Sequence, residues 1–312
     1  MAAPERFSGV LTPVITPFDK DLNPDPQRLL NQCKWMLSQN VGLAVFGTNS
    51  EANSLSTEEK IDLIDYLIDN GIDPKRMMPG TGCCALSDSV KLTAHAVKRG
   101  CGGALMLPPF YYKGVSDDGL YANFSEIAQK VGDSNLRIYL YHIPPVSNVP
   151  ISLNLIERLV TTYPKTVVGI KDSSGDWNNT KAMLDRQWDD FRVFAGAETF
   201  LLDNMRNGGA GCISATANVN PAAIHNLFAN WQDDNADDLQ AGLDEVRETF
   251  QKYPMIPALK QCVAHYVDDP VWEAVRPPLT KLTSEQKSGL IADLNALNFE
   301  MPGLNETARA AE

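Results

Sequence analysis

Little in this chain speaks for disulfide, metal or nucleic-acid chemistry. Its six cysteines (Cys33, Cys83, Cys84, Cys101, Cys212 and Cys262) include no C-x-x-C pair. That is the usage of a reduced, intracellular protein with small buried thiols rather than of a disulfide framework. Only four histidines occur (His95, His142, His225 and His265), and neither they nor the scattered carboxylates show a ligand spacing that calls for a metal. Positive charge is short: 27 Lys and Arg stand against 39 Asp and Glu, for a net charge of −12. The repulsion argues against a nucleic acid or an anionic membrane as partner. No apolar run approaches the length of a membrane span, and the opening MAAPERFSG lacks the apolar segment of a secretory leader. A cytoplasmic location is the expectation. No G-x-G-x-x-G follows the first β-rich run, which counts against an open dinucleotide-binding sheet. No low-complexity segment or long linker divides the chain.

What is present is alternation. The 312 residues are 44% hydrophobic and 21% charged, as in a globular protein with a large core, and α/β barrels of about 250 residues are single domains. Eight β-rich runs recur: Val10–Ile15, Gly42–Thr48, Arg76–Gly82, Gly103–Pro108, Arg137–Ile143, Thr166–Asp172, Phe191–Ala197 and Gly209–Thr216. They are spaced by roughly 20 to 35 residues, the βα spacing of a parallel barrel. Helix starts lie between them. Ser56 and Glu59 form a capping-box pair. Ser87 heads DSVKLTAHAVKRG, which stops at Gly100, and Asn220-Pro221 reads as an N-cap with proline at the first helical position. Beyond the eighth run only helical patterns remain: Pro221–Trp231, Ala236–Lys252, Pro257–Val267 and Ser284–Asn298, the last opened by Thr283 and Gln286. The acidic run Asp233–Asp238 reads as a solvated junction, and the tail from Gly303 to Glu312 is expected to fray. The expected fold class is α/β, a (β/α)8 TIM barrel over 1–220 with a C-terminal α-helical region over 221–312 packed on it.

In such barrels chemistry sits at the carboxyl ends of the strands. The sixth run, VVGIKDSSG, ends in Lys171. A lysine there can snorkel to water, or be held where an ammonium is costly and a neutral amine can attack a carbonyl carbon. Run two ends in Gly47-Thr48-Asn49-Ser50-Glu51, an ordinary polar turn or a set of short donors and backbone N–H groups suited to a carboxylate. Run four ends in Pro108-Pro109-Phe110-Tyr111-Tyr112, whose three aromatics suggest a pocket wall or an interface. In run five, period two puts Tyr139, Tyr141 and Ile143 on one face and His142 on the other. Tyr141 is a structural tyrosine or a phenol suited to moving protons, and His142 reads as structural. Gly208, Gly209 and Gly211, at and within the last run, allow close backbone approach to a small ligand.

GTNSE, PPFYYKGVSDDGLY, YHIPP, VVGIKDSSGD, FAGAETF, GGAGCISATANV and RPPLTKL, in that order, resemble the dihydrodipicolinate synthase / N-acetylneuraminate lyase family from about Arg6 to about Phe299. The resemblance implies a pyruvate-dependent class I aldolase or lyase on a (β/α)8 barrel, a homotetramer built from dimers. By position, Lys171 matches the Schiff-base lysine and Tyr141 the proton-relaying tyrosine. Thr48, with the backbone around Asn49, matches the holder of the pyruvate carboxylate, and Ile213 a residue lining the pyruvate pocket. Tyr111 matches a tyrosine that reaches the neighbouring subunit's pocket, or Tyr112 does, because this loop is a residue longer than in the synthases.

The departures bear on substrate. The lysine-pathway synthases carry an arginine where this chain has Val146, with no charge nearby to replace it, and losing that clamp weakens a dianionic partner. Glu198 matches the region where sialic acid lyases hold polyol hydroxyls. The reading favoured is reversible cleavage of a 2-keto-3-deoxy sugar acid or similar compound to pyruvate and an aldehyde. A 4-hydroxy-tetrahydrodipicolinate synthase, or a dehydratase using the same imine, is the alternative. A catalytically silent barrel that binds a 2-oxo acid is a third reading. The expected partner is a small molecule, pyruvate or a 2-oxo acid plus an aldehyde. Because the imine supplies the electrophile, the resemblance implies no cofactor and no metal.

Overall fold

The structure, a computed structural model, describes residues 6–305. Seven strands lie among them: β1 (Gly9–Thr12), β2 (Gly42–Leu43), β3 (Ala104–Met106), β4 (Ile138–His142), β5 (Val167–Asp172), β6 (Arg192–Ala195) and β7 (Gly211–Ile213). Helices fill the intervals. Two compact units are formed, one from residues 6–9 and 73–213, the other from 10–72 and 214–305.

In the first unit β3 to β7 hydrogen-bond in chain order, every pair parallel. Parallel neighbours need a crossover between them, which the helices supply. Strand side chains alternate between faces, and one alternate set, with Met106, Leu140, Ile170 and Val193, packs against Leu120, Phe124, Ile127, Leu155 and Leu159 from the intervening helices. The opposite set includes Tyr139, fully buried and edge-on to Phe7 and Phe194, with its hydroxyl accepting the Phe7 N–H at 2.9 Å. Burial of that phenol pushes it up to about 12. Its ring requires glycine beside it. A Cβ on Gly169 would lie 2.6 Å from the Tyr139 ring, and one on Gly103 equally close.

The run Arg76–Gly82, expected as a strand, makes only a single bridge, at Gly80 to Leu105. Leu105 N–H donates to Pro79 C=O and Thr81 N–H to Leu105 C=O, both at 2.9 Å. The segment follows a parallel path beside β3, but Pro79 has no N–H to extend the ladder. The eight expected runs therefore yield seven strands.

In the second unit β1 pairs with β2 in parallel, Leu11 opposite Gly42 and Thr12 opposite Leu43. The helix Pro26–Ser38 buries Leu29, Cys33, Trp35 and Met36, and Trp35 Nε1 donates to Pro302 C=O at 2.9 Å. In the helix Met255–Val267 every residue from Pro257 to Ala264 is buried, Lys260 and Gln261 included.

Both capping boxes, Ser56 with Glu59 and Thr283 with Gln286, are present. Ser87 is not a cap. That helix runs Leu86–Lys98 from Ala85, and Gly100 follows it at positive φ. Asn220 stands at the N-cap position of Pro221–Ala229, but its side chain makes no cap hydrogen bond. The expected fraying at Gly303 does not begin there, since Met301 and Leu304 are buried. Residues 306–312 and 1–5, where the rest of that tail and most of the opening segment fall, lie outside the described residues. All six cysteines are free thiols. Among the described residues no helix is long and apolar enough to cross a membrane.

Candidate active site

The carboxyl ends of β4 and β5 lie side by side in register, Tyr141 opposite Lys171 and His142 opposite Asp172. Because strand side chains alternate, Tyr141 and Lys171 project on one face and His142 and Asp172 on the other. Lys171 and Tyr141 are each 2% exposed. Lys171 Nζ donates to Tyr141 Oη at 3.3 Å and lies 4.4 Å from that ring's centroid. A buried amine is thus set against a buried phenol, the pairing needed to pass a proton to and from nitrogen.

On the opposite face Asp172 is held from four directions. It accepts Ser174 N–H and Ser174 Oγ–H at 3.0 Å, Asn179 Nδ2–H at 3.0 Å and Thr180 Oγ1–H at 2.6 Å. His142 Nδ1 accepts the Ile151 N–H at 3.0 Å, so in the neutral ring the proton is on Nε2, which lies 3.9 Å from Asp172 Oδ1. Burial holds the imidazole below its ordinary pKa, and the Asp172 carboxylate opposes that shift. Sequence alternation identified His142 as structural but missed Asp172. The D-S-S-G turn with a threonine eight residues after the aspartate was its only trace.

Glu198 opens the helical turn Glu198–Phe200 after β6 and is 1% exposed. Cys212, on β7, is fully buried. Burial pushes its thiol far up, the Glu198 carboxylate adds to that, and Lys171 pulls the other way. Both charged side chains therefore act on the same thiol. Ile213, the last residue of β7, is completely buried.

Three candidates lie away from this buried cluster. Tyr111 and Tyr112 are 74% and 72% exposed, edge-on to each other at 5.4 Å. Val146, in the helical turn Pro144–Ser147, is 59% exposed. The expectation of no charge near Val146 needs correction. Lys113 Nζ donates to Ser147 C=O at 2.7 Å and also to Phe110 C=O. The ammonium comes from a neighbouring loop, 34 residues away in sequence, which is why sequence proximity did not reveal it.

In the second unit Thr48, Asn49 and Ser50 form a single helical turn after Gly47. Ser50 Oγ accepts the Gly47 N–H at 3.1 Å, and Thr16 Oγ1 donates to Ser50 C=O at 2.7 Å. Glu51 follows at φ 55° with its side chain fully buried. It accepts from Lys260 Nζ, and its Oε2 accepts the Arg276 N–H at 2.9 Å. The Arg276 guanidinium continues to Leu22 C=O, Ser54 C=O and Glu59, and holds the Glu59 carboxyl below its usual range. Lys260 was not found from sequence. A lysine inside the apolar helix MIPALKQCVAHYV was the available signal.

Residues 6–297 match the dihydrodipicolinate synthetase family. A DapA-like lyase of Chloroflexus aurantiacus is 31% identical over 287 residues, 91% of this chain and 95% of that protein. Among solved structures, a dihydrodipicolinate synthase from Agrobacterium tumefaciens is 31% identical with a TM-score of 0.86, over 93% of this chain and 99% of its own. A variant of the Sulfolobus solfataricus 2-keto-3-deoxygluconate aldolase, 22% identical, shares the fold with a TM-score of 0.83, over 93% of this chain and 96% of its own.

Proposed function

The chain belongs to the dihydrodipicolinate synthetase family, and on that premise we propose that Lys171 is its imine-forming lysine and Tyr141 the group that moves protons there. The fold class is the (β/α)8 barrel with a C-terminal helical region, and the protein is a lyase of the class I aldolase kind, acting through an imine on pyruvate or a 2-oxo acid. The observation that carries the residue assignment is the buried Lys171 Nζ to Tyr141 Oη contact of 3.3 Å at adjacent strand ends.

In the neutral amine, Nζ attacks the C2 carbonyl of the 2-oxo acid. Tyr141 gives its proton to the departing hydroxyl, which leaves as water, and a protonated carbon–nitrogen double bond forms beside the resulting phenolate. In the cleavage direction Tyr141 takes the C4 hydroxyl proton and the C3–C4 bond breaks. Its electron pair passes through C3 to nitrogen, giving an enamine and a free aldehyde. Tyr141 passes that proton on to C3, which regenerates the imine, and water, giving a proton back to Tyr141 as it adds, releases pyruvate and restores the amine. Thr48 and Asn49 hold the carboxylate, Ile213 lines the methyl side, and Glu198 receives hydroxyls of the aldehyde portion.

The substrate we propose is a 2-keto-3-deoxy sugar acid or similar compound. It is supported by the uncharged Val146 and by a buried carboxylate at Glu198, which accepts hydrogen bonds from hydroxyl groups. One observation favours the alternative, 4-hydroxy-tetrahydrodipicolinate synthase: Lys113 sets a positive charge beside Ser147, next to Val146. The exposed Tyr111 and Tyr112 support a homotetramer built from dimers, with Tyr111 reaching the neighbouring pocket. We also assign the catalytic barrel to 1–220, the helical region to 221–312, and the protein to the cytoplasm.

Borohydride reduction with pyruvate tests the assignment. A pyruvyl group fixed on Lys171, and none in Lys171→Ala, is the expected result. A fixed group on another lysine, or none, refutes it. Turnover of a panel of 2-keto-3-deoxy acids against aspartate semialdehyde then decides substrate, and preference for the semialdehyde overturns the sugar-acid reading.

A further inference from the structure

Lys260 is the most completely buried lysine among the described residues. Its side chain has no exposed surface, and neither has that of Glu51, so solvent does not screen the pair. Its ammonium donates to Glu51 Oε1 and to Ala274 C=O at 2.6 Å, and stands 4.3 Å from the Phe18 ring centroid. A wholly buried ion pair is a weak means of stabilising a fold, because apolar residues of similar volume often do as well. What the pair does here is local. Glu51 is the residue that closes the turn Thr48–Ser50, with its N–H donating to Thr48 C=O at 3.1 Å. Its backbone lies at φ 55°, a conformation that a Cβ disfavours. Such backbone persists only where surrounding contacts over-determine it, and here both carboxylate oxygens are engaged, one by Lys260 and the other by Arg276 N–H. A helix 209 residues away in sequence thereby sets the exit from the turn.

We propose that Lys260 is a positioning residue which, through Glu51, fixes the turn carrying Thr48 and Asn49 in the shape that holds the carboxylate of the 2-oxo acid. The inference rests on the reading that this turn holds the carboxylate. Loss of the pair lets the turn relax and weakens binding of ketones that bear a carboxylate, while amine attack on a carboxylate-free ketone is untouched. A lysine that merely supports the fold affects both kinds of ketone alike.

The experiment compares borohydride fixation of pyruvate and of hydroxyacetone, each over a concentration series, in wild type, Lys260→Met and Glu51→Gln. In both variants the half-saturating pyruvate concentration is expected to rise about ten-fold or more, with that for hydroxyacetone moving less than about two-fold, the pattern of a lost ground-state binding contact. Parallel changes for the two ketones, or an unchanged value for pyruvate, overturn the proposal. Glu51→Gln keeps the shape and an acceptor oxygen, so it decides the matter should Lys260→Met fail to fold. The underlying reading fails differently: Thr48→Val then leaves pyruvate half-saturation unchanged.

Discussion

Lys171 in one unit and Lys260 in the other are buried almost equally, at 2% and 0% exposure, yet their surroundings differ in kind. Lys260 meets a carboxylate and a carbonyl, both at close hydrogen-bond distance. Burial pushes its pKa down to about 8, with Glu51 opposing the shift. Its nitrogen is enclosed on all sides and has no approach for a carbonyl carbon. Lys171 donates one long hydrogen bond, to a phenol at the end of a neighbouring strand. The same burial thus sets one lysine against an anion and the other against a phenol. Burial alone does not mark a nucleophile; the partner does.

The sharpest break of this comparison is at the two nitrogens. Lys171→Met is expected to lower turnover by roughly 10⁴-fold or more, as for loss of an enzyme's nucleophile, with the fold retained by circular dichroism. Tyr141→Phe should still permit a borohydride-fixed pyruvyl group at Lys171 but lower kcat by about 10² to 10⁴-fold, the range for a lost proton-transfer group. Steady-state kinetics beside mass spectrometry separates the two effects.

Lys260→Met is expected to cost about 3–5 kcal/mol of stability in urea unfolding, because Glu51 is left buried and unpaired. The double variant Lys260→Met/Glu51→Leu removes both charges and should recover most of that loss. A double variant no more stable than the single one would show that the cost lies in packing rather than in the orphaned charge.

The smallest effect concerns the support behind Lys171, where a buried neutral imidazole stands in place of an ion pair. The folded pKa of His142 lies below its ordinary 6.5, so the unfolded chain binds that proton first. The stability contributed by the neutral ring is whole above about pH 6.5 and declines as pH falls below it, with a slope of at most about 1.4 kcal/mol per pH unit, the limit for one proton. His142→Asn, which keeps an acceptor for the Ile151 N–H, should flatten the urea midpoint between pH 7 and 5 by that component.

Much of the barrel was legible because its signals are local. The run VVGIKD is buried at every position, as a strand covered on both faces must be, and the Ser56–Glu59 and Thr283–Gln286 boxes stand where their spacing put them. Misreadings arose where one residue's chemistry interrupts a pattern. Pro79 removes a ladder donor from an otherwise strand-like run, and Ser87 lies inside a helix that begins one residue earlier, at Leu86. The Lys113 ammonium escaped notice because its acceptor Ser147 belongs to another loop.

Within a strand the side-chain period is two whatever the fold, so the sequence by itself determined that Tyr141 and His142 point to different faces of their strand. It also determined the parallel α/β class, since helical and β-rich patterns alternate along the chain. The tertiary structure alone decided which lysine meets a phenol and which a carboxylate. Those partners are 30 and 209 residues away. Strand register and helix packing choose among such distant pairings by what must be desolvated together, and no local pattern records that choice.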